Sequence, residues 1–309
     1  MVTPAARREA ADYLRVAFEM SERRAIRTIG VDRSMVRYQS TRPDDGPLRE
    51  RLKALAQERR RFGYRRLHVL LRREGHAVNR KRVQRLYREE KLAVRRRGGR
   101  KRALGERRPM EAPVAANQRW SLDFVSDQMT DGRRFRILTV VDDCTRECLA
   151  LVADTSLSGR RVARELDAII AWRGAPGTMI SDNGTEFTSN AILAWADERK
   201  VGWHYIAPGK PQQNGFIESF NGKLRDELLN ETLFRSLPHA RATLETWRHD
   251  YNHQRPHSKL GWMTPGAYAS ALLGDSARSV AQRDGSAHRA LARHDQEGSD
   301  HPRTLVMAG

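Results

Sequence analysis

The chain has 309 residues, is 39% hydrophobic and 31% charged, and carries a formal net charge of +19. No run approaches the ~18 apolar residues of a membrane span, and residues 1–30 are charged where a secretion signal needs an apolar core, so a cytoplasmic protein is expected. Cys144 and Cys148 form no zinc pattern and no disulfide framework and are read as reduced, partly buried side chains.

The charge is unevenly placed. Residues 1–116 hold 33 Lys and Arg against 14 Asp and Glu, whereas residues 117–309 hold 24 of each. An excess confined to one segment points to a polyanionic partner, and nucleic acid is the partner this composition favours.

Residues 1–41 are read as a short helical segment of helix-turn-helix type: two helices within 21–39 flank a turn at Gly30-Val31, with Ala25, Ile26, Ile29 and Val36 spaced for one buried face. "RPDDGP" at 42–47 is a turn-rich link. Residues 46–94 form a helical DNA-binding domain with helices expected near 47–60, 64–73 and 80–90, the last capped by Asn79. In that last helix Val83, Leu86 and Tyr87 face the core, leaving Arg80, Lys81, Arg82, Arg85 and Arg88 for phosphates or a groove. Arg65 and Arg66 are counted with Lys81, Arg82 and Arg85 as candidate DNA contacts. Residues 95–116, opened by "RRRGGRKRALGERRP", read as a basic flexible linker.

From Asn117 the pattern becomes mixed. Strands are expected around Trp120–Val125, in "RRFRILTVVDD" and in "ECLALVAD", joined by links short enough for an antiparallel meander. A helix at 159–172, a strand in "GTMISDNG", a helix at 189–200, a strand in "GWHYIAP", the helix carrying Glu218 and a helix at 238–252 follow. The order βββαβαβα describes a mixed α/β layer over 117–270, not a doubly wound sheet. Residues 271–309, rich in Gly, Ser, Ala, Asp, His and Arg, read as a disordered tail.

Three carboxylates stand out. Asp123 lies inside a strand, where Asp is disfavoured, and Asp182 ends another in "ISDNG". Glu218 sits among Phe216, Ile217 and Phe220 at the start of a helix. If the first and fourth strands are neighbours, the two aspartates converge at one end of the sheet and a helix packed across it supplies the glutamate. Three oxygen ligands without Cys or His select a hard divalent cation, Mg²⁺ or Mn²⁺. Phosphoryl transfer commonly uses two such ions ~3.5–4 Å apart.

Asp123, Asp182 and Glu218, with 35 residues between the last two, resemble the D, D-35-E triad of retroviral-integrase-like transposases. "WSLDFV", "SDNGTEF", "PGKPQQNGFIESFNGKLRDE" and "YNHQRPHSKLGWMTP" resemble the blocks of bacterial insertion-sequence transposases, in particular the products of the second of two overlapping frames. "RFGYRRLHVLLRREGHAVNRKRVQRLYREE" is similar to the helical DNA-binding region that precedes their core. The resemblance implies a ribonuclease-H-like core with a five-stranded mixed sheet and an all-α N-terminal region. It further implies metal-dependent strand cleavage and strand transfer at the ends of an insertion element. Terminal inverted repeats and target DNA would be the partners, with a homo-oligomer assembled on DNA and an upstream-frame product or fusion as further expectations. Arg225, seven residues after Glu218, would bind a backbone phosphate, and Lys210, Gln212, Gln213 and Asn214 match a loop beside the site that touches the DNA end. Lys223 joins them as a candidate DNA contact. The zinc domain of retroviral integrases has no counterpart in this sequence.

Other groups receive blander readings. His249, His253 and His257 recur every four residues, but Pro256 interrupts the helix and nothing completes a ligand set. Asp142 and Asp143 are read as turn and surface groups, Glu186 as solvated or salt-bridging, and the six tryptophans as core. An intact triad favours an active enzyme over the alternative of a catalytically silent protein that binds DNA ends.

Overall fold

The computed structural model describes residues 3–38, 44–94, 113–207 and 214–274. It divides into two compact units, Met1–Arg51 and Leu52–Gly309.

In the first unit, helices α1 (Pro4–Ala17), α2 (Glu22–Ile29) and α3 (Arg33–Arg37) pack on one another. Helix α1 is an addition to the elements expected from the sequence, although Thr3 caps it with a side chain that accepts from the Ala6 N–H, and Pro4 opens it. Helix α2 stops at Gly30, whose left-handed φ of 67° a side chain would strain. Across the turn, Arg37 makes a two-pronged bond to Glu22 at 2.8 and 3.0 Å. Among the described residues of this unit, Ala11 and Ala25 are the fully buried apolar ones.

The division falls within α4 (Gly46–Glu58). Helices α5 (Tyr64–Arg73) and α6 (Arg80–Glu89) therefore fall in the same compact unit as the sheet. The reason is electrostatic. Arg59 pairs with Asp250 at 2.6 Å, Arg61 chelates Asp226, and Arg73 donates to the carbonyls of Gln254 and Trp262. Asn79 caps α6 as expected, accepting from the Lys81 N–H at 2.9 Å, and Val83, Leu86 and Tyr87 are buried.

Five strands form one sheet: β1 (Arg119–Gln128), β2 (Arg134–Asp142), β3 (Cys148–Asp154), β4 (Thr178–Ser181) and β5 (Gly202–Tyr205), in the spatial order β3-β2-β1-β4-β5. The first three are antiparallel neighbours, while β4 and β5 run parallel to β1. Alternation along β2 sends Phe135, Ile137 and Val141 to one face and Leu138 and Val140 to the other. The first face packs on α9 (Gly215–Glu227) and α10 (Leu237–His253) through Ile217, Phe220, Leu224, Leu244 and Tyr251. The second packs on α7 (Gly159–Arg173) and α8 (Asn190–Glu198) through Val162, Leu166, Ile192 and Trp195. Burying each such side chain contributes roughly 1.5–3 kcal/mol, so both helical layers are held by the strand pattern itself.

Gly159 lets α7 start directly against the segment that follows β4, since a Cβ there would lie 2.0 Å from Ser189 Oγ and 2.9 Å from the Glu186 carbonyl. Pro265 opens a last helical stretch that runs to residue 274, so residues 271–274, assigned to the tail from composition, are helical. Most of the expected linker and the rest of the tail lie outside the described residues. No described helix is long and apolar enough to cross a membrane.

Candidate active site

Strands β1 and β4 pair in parallel with Ser121 opposite Ile180. Continuing that register by two residues sets Asp182, just past the end of β4, level with Asp123. Asp123 lies on the same face of β1 as buried Val125, the face covered by α9, and sits opposite Thr139 on β2. Thr139 Oγ1 donates to the Asp123 carbonyl at 3.0 Å and fixes the strand there.

Helix α9 closes the site. Ile217, Phe220 and Leu224 anchor it to the sheet, which leaves Glu218 exposed on the other side of the first turn. On the same stripe, Asn214 Nδ2 donates to the Leu122 carbonyl at 3.1 Å and Asn221 Nδ2 donates to Asp123 Oδ2 at 2.7 Å. Asn214, Glu218 and Asn221 recur at four and three residues, the spacing of one helix face. Asn221 is a functional candidate that the sequence reading omits, and this spacing from Glu218 is the signal that could have found it.

Burial pushes the Asp123 carboxyl above the ordinary aspartate range, and the negative charges of Asp182 and Glu218 push it the same way. The Phe124 N–H and the Asn221 amide oppose them by bonding to the charged form. Asp182 Oδ1 accepts from the Gly184 N–H at 3.1 Å, so the Asp-Asn-Gly turn aims its carboxylate. Asn214 and Asn221 are 3% and 6% exposed, and their Oδ1 atoms have no hydrogen-bond partner among the described residues. Among the described residues, no three His, Cys, Asp or Glu side chains are drawn tightly enough around one point to hold a metal ion.

The remaining candidates are dispersed. Arg225 is exposed two turns beyond Glu218 on α9, and Lys223 is half-buried on another side of that helix. Lys210, Gln212 and Gln213 lie outside the described residues. Arg65 and Lys81 are exposed, and Arg82 and Arg85 are half-buried, Arg85 pairing with Glu89 at 2.9 Å. Arg66 is also half-buried, 3.6 Å from Glu227, and burial together with the neighbouring Arg255 lowers its pKa to about 10.

Several bland readings change. Asp142 and Asp143 are fully buried instead of surface groups. Asp142 accepts from the backbone N–H groups of Asn117, Cys144 and Thr145, and Asp143 from Ser121 Oγ at 2.7 Å and Arg119 Nε at 2.6 Å. Their donors come from segments up to 25 residues away, which local propensity does not register. Trp172 is 56% exposed, so it is not a core residue. Glu186 pairs with Arg136, and both cysteines are buried free thiols.

The strand order and the helices on both faces make up an integrase-type core that follows a helical region in the chain. Residues 113–211 and 199–265 match two family models described as integrase core domain, and residues 43–100 match an HTH-like domain. The chain is 50% identical over 259 residues to a 31.7 kDa protein of insertion element IS407 from Burkholderia multivorans, covering 83% of this chain and 93% of that one. It is 46% identical over 270 residues to a 39.2 kDa protein of insertion element IS476 from Xanthomonas euvesicatoria, covering 87% and 78%. A transposase, InsD of insertion element IS2A/D/F/H/I/K from Escherichia coli, is 28% identical over 242 residues, covering 74% and 80%. The chain belongs to the insertion-sequence transposases of the DDE integrase superfamily. It is a polynucleotidyl transferase that binds DNA.

Proposed function

We propose that Asp123, Asp182 and Glu218 are the catalytic triad of this transposase and together hold the divalent cation or cations, Mg²⁺ or Mn²⁺, on which strand cleavage and joining depend. The observation that carries this reading is the parallel register of β1 and β4, which, run on by two residues, sets Asp182 level with Asp123 on the strand that α9, the helix of Glu218, contacts. The donor set suits the group: burial first, and then the charges of Asp182 and Glu218, raise the Asp123 carboxyl, and a hard cation bound among the three would offset both. The two orphaned amide oxygens of Asn214 and Asn221 are acceptors of the kind that water ligands of such a cation satisfy. When bound, the metal would lower the pKa of the attacking water or 3′-hydroxyl and neutralise charge on the leaving oxygen.

The protein's own share is positioning. Asn221 orients Asp123, the Gly184 N–H orients Asp182, and the first turn of α9 sets the reach of Glu218. Arg225 is assigned a backbone phosphate near the cleaved bond, with Lys210, Gln212, Gln213 and Asn214 beside the DNA end. Lys81, Arg82 and Arg85 are assigned to duplex binding by the helical region, whose substrate would be the inverted repeats of the element.

The test is cleavage of labelled element-end DNA by Asp123→Asn, Asp182→Asn and Glu218→Gln, with an upstream-frame product added where the wild type needs it. Each change keeps shape and removes one charge. Each is expected to abolish cutting and joining while leaving end binding intact, and double variants are expected to lose nothing more. Cutting by Glu218→Gln at the wild-type rate would remove the helix carboxylate from the site.

A further inference from the structure

We propose that the pocket between β2, α9 and the segment following α10 is a second phosphate site, which seats a DNA backbone phosphate on the flank of α9 turned away from Glu218. The inference rests on the reading of the chain as a DNA-joining enzyme and is independent of the triad assignment.

The pocket encloses about 350 Å³, and Arg146, Ser219, Lys223, His257 and Lys259 line it over the ring of Phe220. At 100° per residue, Phe216, Ser219 and Lys223 form one stripe of α9, roughly 160° from the stripe of Asn214, Glu218, Asn221 and Arg225. Among the described residues that line it, three carry basic side chains and none is a carboxylate. Glu227, on the same helix, is committed to Arg255 and lies 3.6 Å from Arg66, which leaves Lys223 among positive neighbours.

The pocket is built by specific packing. The Arg146 guanidinium is held over the Phe216 ring at 3.8 Å, and Lys223 Nζ lies 3.4 Å from Ser219 Oγ. His257 is 7% exposed, yet its Nδ1 has no hydrogen-bond partner among the described residues. Burial and the charges of Lys223, Arg255 and Arg146 hold its pKa near about 3, so the ring is neutral and one nitrogen can carry a hydrogen to donate. A buried imidazole with an unpartnered Nδ1 lines the same pocket as three basic side chains and a hydroxyl, which together supply several donors. That number of donors suits a phosphate, with its several oxygens, better than a planar carboxylate. The substrate of this enzyme supplies phosphates along its length.

The experiment uses the full chain and element-end duplex DNA. Lys223→Gln/Lys259→Gln is expected to make the fall of log K with log[salt] shallower by about 0.9 for each backbone phosphate that the variant leaves unneutralised. Single methylphosphonate linkages, walked along the duplex, are expected to reveal one position where removing the phosphate charge weakens the wild type about tenfold and leaves the double variant unaffected. Lys259 is exposed, so Lys259→Gln alone, also expected to be shallower, carries the test if Lys223→Gln disturbs packing.

Unchanged slopes and an unchanged methylphosphonate profile overturn the proposal. So does saturable binding of inorganic phosphate that the variant loses while its DNA profile stays wild type, since the pocket would then take a free anion. Metal-dependent cleavage by the wild type, abolished in Asp182→Asn, reads the triad alone, so failure of the pocket and failure of the triad are separable.

Discussion

Asn221 on α9 donates to Asp123 Oδ2 on β1 across 2.7 Å, tying the helix that carries Glu218 to the strand that carries the first aspartate. The bond does two things. It fixes one carboxylate oxygen of a group that burial pushes toward protonation, and it sets the height of α9 above the sheet.

Asn221→Ala removes this bond and should act on the chemistry more than on DNA. Loss of an amide that orients a ligating carboxylate typically costs ~10–100-fold in activity or metal affinity. The expected result is a fall of that order in cleavage rate with a higher half-saturating Mg²⁺ concentration and an unaltered Kd for end DNA. Asn221→Asp, which adds a fourth negative charge, should be worse than alanine at low Mg²⁺. Equal Mg²⁺ dependence in wild type and alanine variant would make Asn221 a packing residue only.

Lys223 gives the DNA affinity a pH dependence. Burial, with Arg255, Arg66 and Arg146 nearby and only Glu227 opposing, lowers its pKa to about 7, while His257 beside it stays neutral. A phosphate in the pocket favours the charged amine and raises that pKa in the complex, so binding takes up a proton above pH 7. Affinity should therefore fall as pH rises from about 7 to about 9, by up to roughly tenfold per unit, and Lys223→Arg should flatten the curve. Fluorescence anisotropy at constant ionic strength measures both.

The Arg255–Glu227 pair is a stability element. Arg255 is 2% exposed and bonds to Glu227 through Nε at 3.0 Å and through a second, shorter contact. Glu227→Gln leaves a buried guanidinium uncompensated, a change that costs about 3–5 kcal/mol. Denaturant unfolding should register that loss, and Glu227→Gln/Arg255→Met should recover much of it. Additive losses in the double variant would contradict the pairing.

Asn79 caps α6 through its bond to the Lys81 N–H. Asn79→Ala should cost about 1 kcal/mol, and Asn79→Asp should be close to neutral. Thermal unfolding checks the order of the three proteins. Because Lys81 and Arg82 lie in the capped turn, the alanine variant should also bind duplex DNA more weakly at equal salt.

The local elements are legible in the sequence because their signals are local. Alternation in "RRFRILTVVDD" marks β2, and the Asn79 cap marks α6. Helix α1 escapes such a reading although its cap is present in Thr3-Pro4, because its single buried residue leaves almost no apolar period to read.

What only the tertiary structure decided was where charges are buried and what meets them. Asp142 and Asp143 look like surface turn residues until Asn117, Arg119 and Ser121 arrive from β1 and the residues just before it to bond them. Arg61 bonds to Asp226, 165 residues later, a pair that no local pattern announces and that joins the helical region to the core. Asn221 and His257 carry no local signal of the partners they have or lack. Periodicity and caps depend on neighbours within a turn or two, which a sequence contains. The cost of burying a charge depends on donors from distant segments, and folding alone brings those together.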